Sequence, residues 1–131
     1  MKPVLVDTCV WSLALRGKQP RDSEITTQLI ELINNGQALL IGPIRQELLS
    51  GYSVREQFVK LKNIPEAFPD VALMSDDFVQ AAKFSNTCRS KGIQGSHIDF
   101  LICAVASRLD CEIYTTDKDF QHYKFHLPIK L

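Results

Sequence analysis

The sequence has no excess of charge of either sign. Its 131 residues include 15 lysines and arginines and 15 aspartates and glutamates, so the formal net charge is zero. Proteins that are drawn to nucleic acid by their overall field carry a net positive charge. The composition excludes that mode of binding, and any contact with nucleic acid has to be local.

Long apolar runs are also missing. No stretch approaches the roughly 18 to 20 apolar residues that a membrane-spanning helix needs, and the N-terminus enters a short strand pattern rather than a charged-then-apolar signal peptide. The chain contains neither G-x-G-x-x-G nor a P-loop, so nucleotide cofactors have no support. We expect a cytoplasmic protein without membrane contact.

The cysteines lack the spacing of a metal site. None forms a C-x-x-C pair, and the three histidines do not lie near them in metal-ligand spacing. Cys103 and Cys111 lie in or beside apolar runs, where a reduced thiol behaves as a small hydrophobic group. We therefore predict structural cysteines.

What the chain does have is an alternation of short apolar runs and amphipathic segments. Its length and its 45% of hydrophobic residues fit one domain spanning residues 1–131. Strands are predicted at 3–7, 38–41, 71–74 and 111–116, with a short edge strand within 124–131. Residues 17–23 are predicted to form an exposed loop. Helices are predicted at 9–16, about 25–33, 42–51, 54–63, 75–91 and 97–109. Strands that alternate with helices indicate parallel pairing and an α/β sandwich.

Four acidic residues lie at the joints of this pattern: Asp7, Glu47, Asp99 and Asp117. In parallel sheets, ligands gather outside the carboxyl ends of the strands, and Asp7 and Asp117 follow two of those ends. Carboxylates brought together repel one another and need a counter-charge. A divalent metal ion is the simplest one.

For two of the acids, a functional role can be compared with a structural role near the start of a helix. Asp7 could serve as the N-cap of the following helix, although Thr8 could cap instead. An acid in the first turn of a helix would meet free amides, but Glu47 falls beyond that turn. No basic residue at position 43 or 51 is available to pair with it. It shares a face with Ile44 and Leu48, so we expect it to point to apolar surroundings or a cleft.

Capping boxes explain part of the remaining acids. Ser96 and Asp99 match such a box, and so do Thr116 and Asp119. Asp117 is not the residue that would close the second box, so we assign Asp117 to chemistry and Asp119 chiefly to structure. Thr116 is predicted to add a polar contact near the metal.

Four segments together resemble a known family. The segments VDTCVW, PIRQELL, HIDFLICAVA and YTTDKDF resemble those of PIN-domain ribonucleases, and among them the small VapC-type toxins of bacterial toxin-antitoxin pairs. Nearly the whole chain is covered, and the order, spacing and context of all four acids match. The resemblance implies a three-layer α/β/α fold around a parallel sheet of about five strands.

The resemblance also implies a metal-dependent ribonuclease. Asp7, Glu47, Asp99 and Asp117 would converge in one acidic pocket that binds Mg²⁺ or Mn²⁺. Asp7 and Asp99 are expected as the leading metal ligands, and Glu47 and Asp117 would complete the site directly or through water. Such hard cations take oxygen ligands.

Partners are implied in the same way. Family members commonly dimerise and are held inactive by an antitoxin, so we expect RNA, a cognate antitoxin and a second copy of the chain as partners. The apolar helices at 23–35 and 54–63 resemble the places where an antitoxin docks, and core packing is the alternative for both.

Basic side chains are expected to contact the RNA backbone, with ordinary solvated surface as the alternative for each. Arg45, two residues before Glu47, is the first to test, and His97 is a weaker candidate for a general base. The candidates for RNA binding are Arg16, Lys18, Arg45, Arg89 and Lys91.

Other readings fit less well. A magnesium-binding receiver-like regulatory module would need an acid pair after the first strand and a lysine after a late strand, whereas Thr8 follows Asp7 and the late strand ends in Thr115 and Thr116. A haloacid-dehalogenase-like phosphatase would need D-x-D, whereas position 9 is cysteine. A catalytically silent PIN-fold binding protein remains an alternative, although the chain keeps all four acids.

Overall fold

The computed structural model describes residues 2–16, 20–50 and 70–131, without the side chains of residues 15, 16 and 20–23. The predicted helix at 54–63, the residue Lys18 and the side chain of Arg16 lie outside what is described. Along the described ranges the order of elements is β1 (Val4–Val6), α1 (Thr8–Arg16), α2 (Pro20–Asn34), β2 (Ala38–Leu39), α3 (Gly42–Ser50), α4 (Ser75–Ser90), α5 (His97–Leu109), β3 (Glu112–Tyr114) and α6 (Asp119–Lys124).

The sheet is parallel and β1 lies at its centre. Its described strands have the order β2-β1-β3, and Val4 pairs with Ala38 on one side and with Glu112 on the other. Strands buried on both faces read as continuous apolar runs, which explains the sequence of β1. The predicted α/β fold around a parallel sheet is confirmed, and the carboxyl ends of β1 and β3 lie side by side.

Among the residues that the structure describes, both edges of this sheet are extended by single contacts rather than by full strands. Val71 donates its N–H to the carbonyl of Leu40 at 2.9 Å, but residues 71–74 form no strand, contrary to the prediction. At the other edge, Lys130 makes an isolated parallel bridge with Glu112. Pro128 cannot donate to a ladder, which limits pairing in the last segment to this bridge.

The start of α2 corrects another prediction. Residues 20–23 belong to the helix, which begins at Pro20, and not to an exposed loop. Proline suits the first helical position, where its missing N–H would have no partner in any case. The same property placed Pro43 correctly near the start of α3.

The core is built around β1 and α5. Residues 100–106 of α5 are all buried, which confirms that this apolar segment is a central helix. Helix α4 packs against α5, and α5 packs against β3, while α1 contacts both α2 and α3. Within the described ranges, no helix combines the length and the apolar character needed to cross a bilayer.

Candidate active site

Asp7 lies where β1 passes into α1. Its N–H donates to the carbonyl of Tyr114 at 2.9 Å, and its own carbonyl accepts the N–H groups of Val10 and Trp11 in the first turn of α1. The acid therefore occupies the N-cap position of α1 and also sits at the carboxyl end of the central strand. Its side chain is only 6% exposed.

The carboxylate of Asp7 is held by donors from two elements. Oδ1 accepts the N–H of Thr8 at 2.7 Å, and Oδ2 accepts the hydroxyl of Thr115 at 2.8 Å. The thiol of Cys9 lies 3.5 Å from Oδ2 and 3.4 Å from the Thr115 hydroxyl. A buried carboxylate needs such partners, and these fix its orientation at the edge of the sheet.

Asp99 lies in the first turn of α5, half-buried. The Ser96 hydroxyl accepts the N–H of Asp99 at 3.0 Å, as half of the predicted capping box requires. The carboxylate, however, accepts a hydrogen bond from the hydroxyl of Tyr123 at 2.7 Å. Burial raises the pKa of Asp99, the bonds from Tyr123 and Ser96 lower it, and the charges of Asp7 and Asp117 raise it, leaving it above its usual range.

Glu47 lies on the second turn of α3, beside a shallow cleft that it lines together with Pro43 and Ile98. Desolvation raises the pKa of its carboxyl group, and the negative charges of Asp7 and Asp99 raise it further. The nearby hydroxyl of Thr8 opposes this rise. That hydroxyl is buried without a partner at bonding distance in the described structure.

Asp117 is exposed in the turn between β3 and α6. Its Oδ1 accepts the N–H of Asp119 at 2.9 Å, and its own N–H donates to the Thr115 hydroxyl at 3.0 Å. The side chain that accepts a backbone N–H at the start of α6 is thus that of Asp117. The predicted capping box between Thr116 and Asp119 is wrong. An aspartate that bonds the backbone two residues on is a common way to begin a turn.

The four acids interact through their charges. Asp7 and Asp99 act on Glu47, and Asp7 and Asp117 act on Asp99. Desolvation is the largest cause of the raised pKa values of Glu47 and Asp99, and this repulsion raises both further, as expected for carboxylates that share a region. Within residues 2–16, 20–50 and 70–131, no three Asp, Glu, His or Cys side chains are grouped so as to hold one metal ion.

The chemistry of the donors nevertheless fits a hard divalent cation. Carboxylate and hydroxyl oxygens are the ligands that Mg²⁺ and Mn²⁺ favour, and Mg²⁺ usually binds through one or two carboxylates while it keeps several waters. A third direct protein ligand is therefore not required. Direct coordination by all four acids stays a prediction.

The basic candidates differ in their surroundings. Arg45 pairs with Asp70, with Nε 2.8 Å from Oδ1. Arg89 is exposed at the end of α4 and lines a groove of about 240 Å³ beside residues 93–97, together with His97. Arg89 is therefore a better candidate for contact with RNA than Arg45.

Three residues near the acids were missed in the sequence. Thr115 and not Thr116 brings its hydroxyl to Asp7; its signal was its place directly after β3, the counterpart of Asp7 after β1. Tyr123 reaches Asp99 from α6, where Phe120 and Tyr123 share an apolar face. Gly95 lies against the Tyr123 hydroxyl, and no local pattern marked that contact.

Comparison with known proteins agrees with the fold. No curated protein sequence matches the chain significantly. Among solved structures, FitAcB from Neisseria gonorrhoeae is similar with a TM-score of 0.78 and 19% identity, covering 98% of this chain and 96% of that one. VapBC2 from Rickettsia felis, bound to a DNA fragment from their promoter, is similar with a TM-score of 0.74 and 15% identity over 98% and 96% of the two chains. The sequence model of the PIN domain matches residues 4–126, so the chain belongs to the PIN domain family.

Proposed function

We propose that this protein is a divalent-metal-dependent ribonuclease and the toxin of a bacterial toxin-antitoxin pair. The observation that carries the proposal is the match of residues 4–126 to the PIN domain, within which Asp7 lies buried after β1 and Asp99 lies in the first turn of α5. Burial raises the pKa values of Glu47 and Asp99, the charges of neighbouring acids raise them further, and catalytic sites are where such perturbed groups concentrate. The family match leaves no support for a receiver-like module.

In this proposal Asp7 and Asp99 hold Mg²⁺ or Mn²⁺, and Glu47 and Asp117 complete the site directly or through water. When bound, the cation lowers the pKa of a water molecule and neutralises charge on the scissile phosphate. The four proposed ligands are all carboxylates, which supports a hard cation over zinc, because zinc favours nitrogen and sulfur ligands.

The chain itself supplies orientation. Asp7 is immobilised by the Thr8 N–H and the Thr115 hydroxyl, and Asp99 by the Tyr123 hydroxyl. A carboxylate that is already fixed loses little entropy when it engages a ligand, which is how rigid sites favour a reactive geometry. Glu47 borders a cleft open to solvent, where a phosphodiester can approach.

The reaction proposed is hydrolysis of an RNA phosphodiester. The oxygen of water forms a bond to phosphorus as one P–O ester bond breaks, and the proton of the water ends on the departing oxygen or in solvent. Because the net charge is zero, contact with the RNA backbone depends on local cations, of which Arg89 beside the groove is the leading candidate.

The toxin role rests on the resemblance of the four acidic segments to VapC-type toxins. It implies a cognate antitoxin, a homodimer and action in the cytoplasm, where RNA is available. The similarity to FitAcB and VapBC2 supports the fold that this role requires.

A nuclease assay tests the proposal. Purified protein is incubated with end-labelled single-stranded RNA, structured RNA and DNA of the same sequence, with EDTA or with added Mg²⁺ or Mn²⁺. We expect cleavage of RNA that EDTA stops and that either cation restores. Asp7→Ala and Asp99→Asn should abolish cleavage with the far-UV circular dichroism spectrum unchanged.

Asp110→Asn is the matched control, because Asp110 is an exposed acid that pairs with Lys130 away from the site. It should cleave like the wild type. Cleavage that survives both Asp7→Ala and Asp99→Asn would refute the assignment, and RNA binding without any cleavage would favour a silent PIN-fold binding protein.

A further inference from the structure

Among the described residues, the neutral hydroxyl of Tyr123 forms a hydrogen bond with Asp99 from a different helix. It donates to Oδ2 of Asp99 at 2.7 Å and crosses from α6 to the first turn of α5. A bond of this length to a carboxylate is short and strong. It restricts rotation of the carboxylate about its last torsion, which is otherwise broad.

Tyr123 is itself fully enclosed. The residue is 0% exposed, and its ring lies 5.1 Å from the ring of Phe100 and 5.1 Å from that of Phe120. The contact with Phe120 is edge-to-face, an arrangement that aromatic pairs prefer. Because the ring is enclosed, its hydroxyl points to one place, and Asp99 occupies that place.

Gly95 leaves the space that this hydroxyl needs. A Cβ added to Gly95 would lie 2.3 Å from Oη and 2.8 Å from Cζ of Tyr123, and 2.9 Å from Cζ of Phe100. Real contacts of Cβ atoms essentially never come so close, and the rigid rings cannot move aside without repacking. Glycine is therefore required here for close approach and not for a turn.

We propose that Tyr123 is a positioning residue that presents Asp99 to the metal, and that Gly95 makes this placement sterically possible. The inference rests on the proposed metal-dependent function. Tyr123 engages Oδ2, and an ionised carboxylate has about four lone-pair sites, so Asp99 keeps acceptor capacity for a cation. Tyr123 touches neither the cation nor the RNA and acts only through Asp99.

Tyr123 is placed like the groups in metal sites that hydrogen-bond a metal ligand without contacting the metal. Such partners orient the direct ligands, and their loss typically lowers metal affinity or activity on the order of 10 to 100-fold. The donor here is neutral, so it orients the carboxylate without cancelling the charge that attracts the cation. If Tyr123 served only in packing, its ring would be sufficient and its hydroxyl would not be needed.

The test is the affinity of the full chain for Mn²⁺ alone, measured by titration calorimetry without RNA. Tyr123→Phe keeps both ring contacts and removes only the hydroxyl. We expect its dissociation constant for Mn²⁺ to rise about 10-fold. Tyr114→Phe is the matched control, because it removes a hydroxyl that donates to Gln28 at 2.6 Å and should leave Mn²⁺ affinity unchanged.

A second pair of variants examines the steric part. Gly95→Ala should weaken Mn²⁺ binding at least as much as Tyr123→Phe. Gly42→Ala should not, because among the described residues a Cβ there would come near Asp70 alone, at an ordinary 3.9 Å. Combining Tyr123→Phe with Asp99→Asn should add nothing to the effect of Asp99→Asn, since the hydroxyl acts through that carboxylate.

The two proposals fail in different ways. Wild-type protein that binds no Mn²⁺ and cleaves no RNA would overturn both the proposed function and the role of Tyr123. Wild-type protein that does both, with Tyr123→Phe binding Mn²⁺ within twofold of it, would overturn the role of Tyr123 alone.

Discussion

The hydroxyl of Thr115 donates a 2.8 Å hydrogen bond to Oδ2 of Asp7, across 108 residues of sequence. The two residues follow neighbouring parallel strands, β3 and β1, whose carboxyl ends lie together. The same oxygen of Thr115 accepts the N–H of Asp117 at 3.0 Å. Thr115 thus links the buried acid after the first strand to the exposed acid after the last one.

Replacing Thr115 with valine should lower nuclease activity about 10-fold. A hydrogen bond to a charged group is worth about 1.5–3 kcal/mol, and valine keeps the shape while it loses the bond that orients Asp7. Initial rates at saturating Mn²⁺ measure the effect. Thr116→Val is the matched control, because the hydroxyl on Asp7 comes from Thr115; equal losses in both variants would contradict the assigned role.

Asp99→Asn should abolish cleavage and yet stabilise the metal-free protein. Burial and, to a smaller extent, the charges of Asp7 and Asp117 raise the pKa of Asp99, so its charge is disfavoured in the folded state at neutral pH. The neutral amide removes that penalty, and its oxygen can still accept the bond from Tyr123. We expect the melting temperature in EDTA to rise by a few degrees, equivalent to about 1 kcal/mol in a domain of this size.

The pH dependence provides the control for that variant. A carboxyl group with a raised folded-state pKa favours folding below its unfolded value of 3.8, and this contribution is lost as the pH rises through the folded-state pKa. The advantage of Asp99→Asn over the wild type should therefore shrink as the pH falls. A melting temperature lower than that of the wild type at pH 7 in EDTA would rule out a penalty on the charge of Asp99.

Asp77→Asn should destabilise the fold without touching the site. Asp77 is buried and bonds Nε of Arg108 at 2.8 Å and the N–H of Met74 at 2.9 Å. We expect a loss of about 2 kcal/mol in the free energy of unfolding, less than for a fully buried pair because Arg108 is 36% exposed. Urea denaturation measures it.

Acid should remove the same contribution from the wild type. Burial by itself would raise the pKa of Asp77, but the hydrogen bonds from Arg108 and Met74 and the charge of Arg108 outweigh it and leave the pKa below 3.8. The stabilisation is therefore complete above pH 3.8 and is lost as the pH falls through the folded-state value. Asp110→Asn should change stability little, because the ion pair of Asp110 with Lys130 is exposed. Asparagine also tolerates the positive φ of 52° at this position.

Arg89→Gln should weaken RNA binding more than Arg45→Gln does. The charge of Arg45 is already paired with Asp70, whereas Arg89 is exposed at a groove beside residues 93–97. A lost phosphate contact lowers the slope of log affinity against log salt concentration by about 1. Filter binding with catalytically inactive Asp7→Ala protein measures both slopes, and an unchanged slope for Arg89→Gln would contradict the contact.

Much of the fold was readable from local pattern. The helix at His97–Leu109 coincides with its prediction, because the segment between Ser96 and Asp110 is mostly apolar, begins with a serine cap and is long enough for a buried helix. The strand predicted at 71–74 did not form: VALM has the composition of a strand but gains only one backbone bond, to Leu40. Whether an apolar run becomes a strand depends on a partner that the run does not encode.

The sequence by itself determined which acids follow the strands and open the helices, because alternation and apolar periodicity are local properties and parallel pairing brings strand ends to one edge of a sheet. Tertiary structure alone decided what holds those acids. Thr115 reaches Asp7 from 108 residues away, and Tyr123 reaches Asp99 from 24. Such partners depend on the packing of whole elements and on the absence of a side chain at Gly95, which no spacing of residues along the chain specifies.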